Sequence, residues 1–119
     1  MNQTLIIILA AMVVFLLIKK LITNKNQKKM VEIINSDSNT LIVDVRSKEE
    51  FRGGHIENSV NIPLDRISGE TEKLRKYNHI IVVCASGMRS AQAKSILAGK
   101  GLKSVHNGGA WQSLNSNLK

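Results

Sequence analysis

The sequence predicts an α/β fold class, a small parallel sheet of four to five strands covered by helices on both faces and preceded by one transmembrane helix. Short apolar runs of strand type alternate with segments of helical type along most of the chain, and this alternation is typical of parallel sheets. A long apolar segment comes first. At 119 residues the chain has room for only one domain besides that segment.

The first element is a predicted membrane anchor over residues 1–22. Leu5–Ile18 is an uninterrupted apolar run of 14 residues, which gives about 21 Å of helix. Thr4–Ile22 reaches the length of a bilayer core if the two lysines within it snorkel. A buried core helix is a weaker interpretation, because no polar residue marks one face of the run. A cleaved signal peptide needs basic residues before the run and a small-residue cleavage site after it, and the sequence has neither.

The net charge of +8 comes mainly from the flank of the anchor. Five lysines and no acidic residue fall in residues 1–30, which leaves 12 basic and 9 acidic residues, a net +3, in residues 31–119. By the positive-inside rule, we expect the rest of the chain in the cytoplasm, with the lysines near anionic lipid. A nucleic-acid partner is not expected, because the folded part combines a small net charge with few aromatic residues.

A basic linker at residues 23–29 and a folded domain at residues 30–119 are predicted after the anchor. The first elements of this domain follow from helical or strand spacing: a short helix Met30–Asn35, a strand Leu41–Val45, a helix Lys48–Arg52 and a strand around Val60–Ile62. Ser47 and Glu50 have the spacing of a capping box, which would begin the helix that follows Ser47.

The later elements continue the alternation of helices and strands. They are one or two short helices within Asp65–Lys76 interrupted at Ser68-Gly69, a strand Ile80–Cys84, a helix Arg89–Ala98, a brief strand Ser104–His106 and a helix from about Ala110. Glycines close several of these segments, as expected of turns and helix ends.

Cys84 is the only cysteine of the chain and ends an apolar strand just before a helix. A free cysteine is often a small buried apolar residue, and that interpretation has to be weighed. Its position favours chemistry instead, because ligand sites of parallel sheets lie at the carboxyl ends of strands and a helix N-terminus favours a thiolate. A single thiol also excludes an internal disulfide and fits a reducing compartment.

The loop after Cys84 has the pattern C-x-x-x-x-R. Gly87 permits a positive φ, which would let main-chain N–H groups converge on the sulfur as an anion-binding nest. Arg89 adds a fixed charge and forked donors, so we expect both features to hold an anionic sulfur and to lower the pKa of the thiol.

Four motifs occur in order: Asp44-Val45-Arg46, Gly54-His55-Ile56, Asn61-Ile62-Pro63 and Cys84-Ala85-Ser86-Gly87-Met88-Arg89-Ser90. With them the chain, from about residue 30 to its end, resembles a single-domain rhodanese. The resemblance implies a sulfurtransferase in which Cys84 carries sulfur as a persulfide and the loop backbone cradles it. It implies no cofactor. The loop residues concerned are Ala85, Ser86, Gly87, Met88 and Arg89.

The partners that the resemblance implies are a sulfur-donor anion such as thiosulfate and an acceptor that is cyanide, a small thiol or a protein. Bacterial members of the family also carry N-terminal anchors, so we expect a single-pass protein of the bacterial inner membrane with its catalytic domain in the cytoplasm. Related phosphatases and arsenate reductases have one more residue between Cys and Arg, and the four residues found here favour sulfur chemistry. A noncatalytic interaction or redox-sensing module is a further alternative, because the family's customary first strand is missing.

Three further residues are candidates for supporting roles. Asp44 would orient the active loop or satisfy neighbouring backbone donors. Arg46 is expected to pair with a carboxylate such as Glu50 rather than to contact substrate. Trp111 resembles the family position near the active loop and is expected to pack in the core, with substrate contact as the alternative. His55, His79 and His106 are scattered without ligand spacing, so no metal site is expected.

The turn after Gly54-His55-Ile56 departs from the family, which usually continues with Pro-Gly-Ala. This chain has Glu57-Asn58-Ser59 there. We therefore expect an altered turn beside the sheet rather than altered chemistry.

Overall fold

The structure is a computed structural model that describes residues 2–119. Its elements follow in the order α1 (Gln3–Ser36), β1 (Thr40–Asp44), α2 (Lys48–Arg52), β2 (Val60–Asn61), a 3-10 helix (Leu64–Glu70), α3 (Thr71–Leu74), β3 (His79–Cys84), α4 (Met88–Gly99), β4 (Val105–Ala110) and α5 (Trp111–Leu118). The alternation of strands and helices predicted from the sequence is confirmed.

The four strands form one parallel sheet in the order β2-β1-β3-β4. Asp44 is in register with Val83, and Cys84 with Ala110. The last residues of β1, β3 and β4 therefore lie at one edge of the sheet, called the carboxyl edge below. Ligand sites of parallel sheets lie at this edge.

Both faces of the sheet are covered by helices, as the fold class requires. On one face Val43 and Val82 pack with Leu97 of α4. On the other face Ile81 packs with Met30 of α1 and Leu114 of α5. Burial of such side chains contributes about 1.5–3 kcal/mol each, so the two clusters supply most of the driving force for folding.

Helix α1 is continuous from the apolar segment into the domain. The separate helix predicted at Met30–Asn35 and the linker conformation predicted for residues 23–29 are wrong, because all of these residues belong to α1. The sequence of α1 contains neither glycine nor proline, so no residue interrupts the helix. The helix is long and apolar enough to cross a membrane.

Strand β4 ends the sheet on one side, and α1 supplies hydrogen bonds to it. Asn26 Nδ2 donates to the carbonyl of Asn107 at 3.1 Å, and Gln27 Nε2 donates to that of Gly108 at 2.9 Å. Within residues 2–119 no strand precedes Thr40, which agrees with the missing first strand. The side chains of α1 therefore satisfy backbone acceptors that an additional strand would otherwise pair.

The residue bounds of several elements differ from those predicted. The capping box of Ser47 and Glu50 is confirmed, with α2 over the predicted residues. The predicted break at Ser68-Gly69 is wrong, because the 3-10 helix runs through these residues and changes to α3 at Thr71. Strand β4 continues to Ala110 through Gly108 and Gly109, where a bulge shifts its register against β3.

Candidate active site

Cys84 is the last residue of β3, and the turn that starts α4 folds over its sulfur. The N–H of Gly87 donates to Sγ at 3.0 Å, and that of Ser90 donates to it at 3.4 Å. Gly87 has a φ of +100°, which glycine adopts without a steric penalty. The expected convergence of main-chain amides on the sulfur is therefore present in the structure.

The thiol lies beneath the loop rather than on the surface. Cys84 is only 1% exposed and belongs to the core cluster on the α4 face. Ala85, Ser86 and Met88 are exposed, and Met88 reaches 77%. A molecule that reacts with the sulfur must therefore reach it through this short loop.

Ser90 and Asn107 form a hydrogen-bonded pair beside the sulfur. Ser90 Oγ lies 3.4 Å from Cys84 Sγ and 2.6 Å from Asn107 Oδ1. Asn107 Oδ1 also accepts the N–H of Gly109 at 2.9 Å, and its Nδ2 donates to the carbonyl of Gly87 at 3.3 Å. Asn107 of β4 thus connects the active loop to the edge strand.

Sequence reasoning missed Asn107. One signal was available, because a polar residue that precedes a double glycine near the carboxyl end of a strand is a candidate for contact with a site at that edge. Ser90 belongs to the loop motif, but the sequence gives it no separate role. No local sequence pattern predicts the contact between Ser90 and Asn107, since the two residues are 17 positions apart.

The pKa of the Cys84 thiol reflects two opposing effects. Burial raises the pKa, and hydrogen bonds with the side chain and backbone of Ser90 and with the amides of Gly87 and Ser86 lower it. The hydrogen bonds prevail, so the pKa lies below its ordinary value. A larger fraction of Cys84 is therefore in the nucleophilic thiolate form at neutral pH than in an ordinary cysteine.

Arg89 binds a carboxylate at the mouth of the loop. Its Nη1 and Nη2 donate to Glu50 Oε1 and Oε2 at 2.7 and 3.0 Å. The guanidinium of Arg89 is the main cause that holds the pKa of Glu50 at about 2, with the backbone N–H of Ser47 next. The pKa of Cys84 is lowered by hydrogen bonds, as expected of the main-chain amides, whereas Arg89 is not among the main causes of this shift, which corrects the expected role of its charge.

Arg46 pairs with Asp44 and not with the expected partner Glu50. Arg46 Nη2 lies 2.8 Å from Asp44 Oδ2, and both side chains are buried. The other contacts of Arg46 are to the carbonyls of Gly54 at 2.7 Å and Glu50 at 3.3 Å. Two residues of separation at the end of β1 bring this pair together, whereas the carboxylate of Glu50 extends to Arg89.

Asp44 and Trp111 both contact Arg46. Asp44 Oδ1 accepts the backbone N–H of Arg46 at 3.0 Å, so the expectation that Asp44 satisfies a neighbouring backbone donor is confirmed. The guanidinium of Arg46 lies 4.6 Å from the ring centroid of Trp111, a cation–π distance. A Cβ on Gly54 would lie 3.2 Å from the same ring, so Trp111 packs closely against Gly54, just after α2.

Two of the three histidines lie together, although the sequence separates them. His79 Nδ1 is 3.1 Å from His106 Nε2, and Asp37 Oδ2 is 3.7 Å from His79 Nε2. The interpretation of the histidines as scattered is therefore wrong for this pair. Since His79 begins β3 and Cys84 ends it, the pair lies at the opposite edge of the sheet from the thiol.

The comparison with known families agrees with the arrangement of strand, turn and helix around Cys84. The sequence model of the rhodanese-like domain matches residues 23–113. The chain belongs to the rhodanese-like domain family. This membership supports sulfurtransferase activity at the level of the family.

Relatives and solved structures extend this result. A mitochondrial protein of Schizosaccharomyces pombe is 32% identical to this chain over 97 residues, which are 70% of this chain and 68% of that protein. Its name, thiosulfate sulfurtransferase, was assigned to it by inference. YrkF of Bacillus subtilis, named by inference a sulfur carrier protein, is 35% identical over 74 residues, 62% of this chain and only 40% of that protein. The crystal structure of a rhodanese-like domain protein from Staphylococcus aureus has a TM-score of 0.64 at 30% identity, covering 74% of this chain and 86% of that one.

The turn in which this rhodanese-like chain departs from the family keeps a conformation that glycine favours. Asn58 stands where the family usually has glycine and adopts a φ of +68°. Asparagine is among the residues that tolerate this region best. The turn next to Ile56 therefore contains a non-glycine residue in the left-handed region, and Ile56 is buried.

Proposed function

We propose that this chain is a membrane-anchored sulfurtransferase that carries sulfur as a persulfide on Cys84. The observation that supports the proposal best is the position of Sγ, which accepts hydrogen bonds from the amides of Gly87 and Ser90 at the start of α4. Such donors stabilise an anionic sulfur before and after it reacts.

The first half-reaction loads the cysteine. The Cys84 thiolate attacks the outer sulfur of a donor such as thiosulfate and forms a new S–S bond. The original S–S bond of the donor breaks, and sulfite leaves with its electron pair. The main-chain amides of the loop are placed to stabilise the negative charge that stays on the persulfide.

The second half-reaction regenerates the enzyme. A nucleophilic acceptor, either cyanide or a thiolate, attacks the outer sulfur of the persulfide. The S–S bond breaks, the electron pair returns to Cys84, and the product is thiocyanate or an acceptor persulfide. Because Ala85, Ser86 and Met88 of the loop are exposed, a small molecule or the thiol of a protein can approach the loop as the acceptor.

The proposed location follows from α1 and its lysines. The helix is long and apolar enough to cross a membrane, and Lys25, Lys28 and Lys29 follow its apolar part. The positive-inside rule then places the rhodanese-like domain on the cytoplasmic side of a bacterial inner membrane. The reducing cytosol would keep Cys84 free for chemistry.

The proposal is tested with the full chain in detergent micelles. Incubation with thiosulfate should add the mass of one sulfur atom to the protein, and later addition of cyanide should release thiocyanate repeatedly. Cys84→Ser is the matched control and should do neither. Folded protein that forms no adduct and no thiocyanate with thiosulfate or with a persulfide donor would overturn the proposal.

Two other outcomes identify the alternatives. A single modification of Cys84 without repeated turnover would indicate a sensing module instead of an enzyme. Release of phosphate from an aryl phosphate would indicate phosphatase chemistry, which the loop length disfavours.

A further inference from the structure

The helix that forms the predicted anchor leaves the domain beside the active loop. Asn26 of α1 donates to the carbonyl of Asn107, and the side chain of Asn107 donates to the carbonyl of Gly87 in the loop. Gln27 donates to Gly108, and a Cβ on Gly87 would lie 3.4 Å from Cα of Gly109. Only Asn107 therefore separates α1 from the active loop on the first route, and Gly108 with Gly109 on the second.

The apolar part of α1 ends a short distance beyond these contacts. Ile22 is the last residue of the predicted span and lies four residues before Asn26, which is about 6 Å along a helix axis. The headgroup layer on each side of a bilayer is roughly 5–8 Å thick. Measured along the axis of α1, the active loop therefore lies at about the same position as the headgroup layer.

The direction of the helix supports the same placement. Ile34, near the C-terminal end of α1, lines a groove together with Thr40, the first residue of β1. Asn26 and Gln27, which come earlier in α1, contact the later part of β4 instead. Continuing towards its N-terminus, α1 therefore leads away from the amino edge of the sheet and past the carboxyl edge, where Cys84 lies.

The surface near this edge has the properties of a membrane contact. Met88 in the active loop is 77% exposed. The most exposed large apolar side chain in the apolar segment of α1 is Leu21, at 68%. Lys25, Lys28 and Lys29 are exposed on α1 at nearby levels. An exposed apolar side chain together with lysines suits an anionic lipid surface.

We infer that the carboxyl edge of the domain faces the anionic headgroup layer of the membrane that holds α1, with Met88 at the lipid surface. This inference rests on the proposed anchor and not on the proposed sulfur transfer. It implies that Cys84 exchanges sulfur at the membrane interface, so acceptors that are dissolved in or bound to the membrane have the shortest path to the loop.

The test measures the depth of single positions in vesicles of phosphatidylethanolamine and phosphatidylglycerol. The full chain with Cys84→Ser carries one new cysteine, Met88→Cys, Gln92→Cys or Ala98→Cys, each labelled with a fluorophore. These exposed positions follow one another along α4, over about 15 Å from first to last. Lipids with a spin label on the headgroup then quench fluorophores near the surface.

We expect quenching to be several-fold stronger at position 88 than at position 98, with position 92 between them, and to vanish in detergent without labelled lipid. Equal quenching at positions 88 and 98, or stronger quenching at 98, would overturn the inference. Position 92 keeps the test valid if Met88→Cys does not fold, because quenching at 92 must still exceed that at 98.

A fourth variant separates failure of the anchor from failure of the orientation. Leu16→Cys lies within the apolar part of α1 and should be quenched by lipids that carry the spin label on their acyl chains. Absence of that quenching would overturn both the anchor and this inference. Thiocyanate formation by the wild-type chain in micelles is measured separately, so the sulfurtransferase proposal is judged independently.

Discussion

Arg89 and Glu50 form an ion pair with two hydrogen bonds that joins the active loop to α2. The two bonds measure 2.7 and 3.0 Å, and Glu50 is also held by the capping box at the start of α2. The loop that carries Cys84 is therefore attached to the segment after β1 by a charged contact as well as by packing. Both side chains are 38% exposed, so water weakens the attraction between them.

Glu50→Gln should lower the free energy of unfolding slightly at neutral pH. The pKa of Glu50 in the folded protein is about 2, against 4.5 for the ordinary group, so the folded state favours the charged carboxylate. This stabilisation is complete above about pH 4.5 and is lost as the pH falls towards 2. Urea unfolding of both proteins should show a difference of at most about 1 kcal/mol at pH 7.

The difference between wild type and Glu50→Gln should disappear near pH 2. Glu49→Gln is the matched control, because Glu49 is the neighbouring residue of α2 and makes no ion pair among the described residues. A difference that stays constant from pH 7 to pH 2 would show that the ion pair with Arg89 does not cause the stabilisation.

Ser90→Ala should make Cys84 less reactive at neutral pH. Removal of the hydroxyl eliminates one of the hydrogen bonds that lower the pKa of the thiol, so the pKa should rise and the thiolate fraction should fall. A hydrogen bond to a charged group is worth up to about 1.5–3 kcal/mol, so the alkylation rate at pH 7 should fall by about tenfold. The rate of reaction with iodoacetamide as a function of pH measures this change.

The midpoint of the alkylation profile is the decisive quantity for Ser90→Ala. It should move to higher pH, while the rate at high pH stays close to that of wild type. Ser95→Ala is the matched control, because Ser95 is an exposed serine of the same helix. A profile that keeps its midpoint and only loses amplitude would mean that Ser90 acts by packing and not by hydrogen bonding.

The features predicted correctly from the sequence are those encoded locally. The strand before Cys84, the turn at Gly87 and the capping box each depend on residues that are adjacent or three apart, and local geometry alone specifies them. Arg89 and Glu50 are 39 residues apart, and no local pattern connects them. The partner of Arg46 was missed because two carboxylates were within reach and only the packing at the end of β1 selects Asp44.

The continuity of α1 was missed for a different reason. Residues 23–29 are polar, which favours a linker when the segment is considered by itself, but Asn26 and Gln27 use their amides to bind β4. The tertiary contact stabilises helix where the local sequence is neutral. Asn107 was missed in the same way, because its three side-chain contacts reach residues of the loop and the bulge.

Asn107→Ala should lower the stability of the domain. The substitution leaves the N–H of Gly109 without its side-chain acceptor, and an unsatisfied polar group costs about 1–3 kcal/mol. The carbonyl of Gly87 keeps the hydrogen bond from the N–H of Ala91. Urea unfolding should show a loss in this range. The exposed Asn117 provides the control Asn117→Ala, which should cost much less.

Loop mobility distinguishes a positioning role of Asn107 from a merely structural one. If Asn107 positions the loop, hydrogen exchange at the amides of Gly87 and Ser90 should accelerate more than exchange in β1 under conditions where the variant is folded. Uniform acceleration throughout the sheet would show that Asn107 supports only global stability.

Gly108→Ala should be strongly destabilising because the bulge of β4 lies against the side chains of β3. A Cβ at this position would lie 2.7 Å from Cγ2 of Ile81 and 2.8 Å from Cγ1 of Val83, closer than van der Waals contact allows. Overpacking of this kind costs about 1–3 kcal/mol. Gly99→Ala is the control, because no atom apart from its chain neighbours and the backbone of its own helix lies within 4 Å of the added Cβ. Urea unfolding should therefore show a loss only for the variant at position 108. Equal stability of the two alanine variants would mean that β4 moves away from β3 without cost, in which case the bulge would not be fixed by packing.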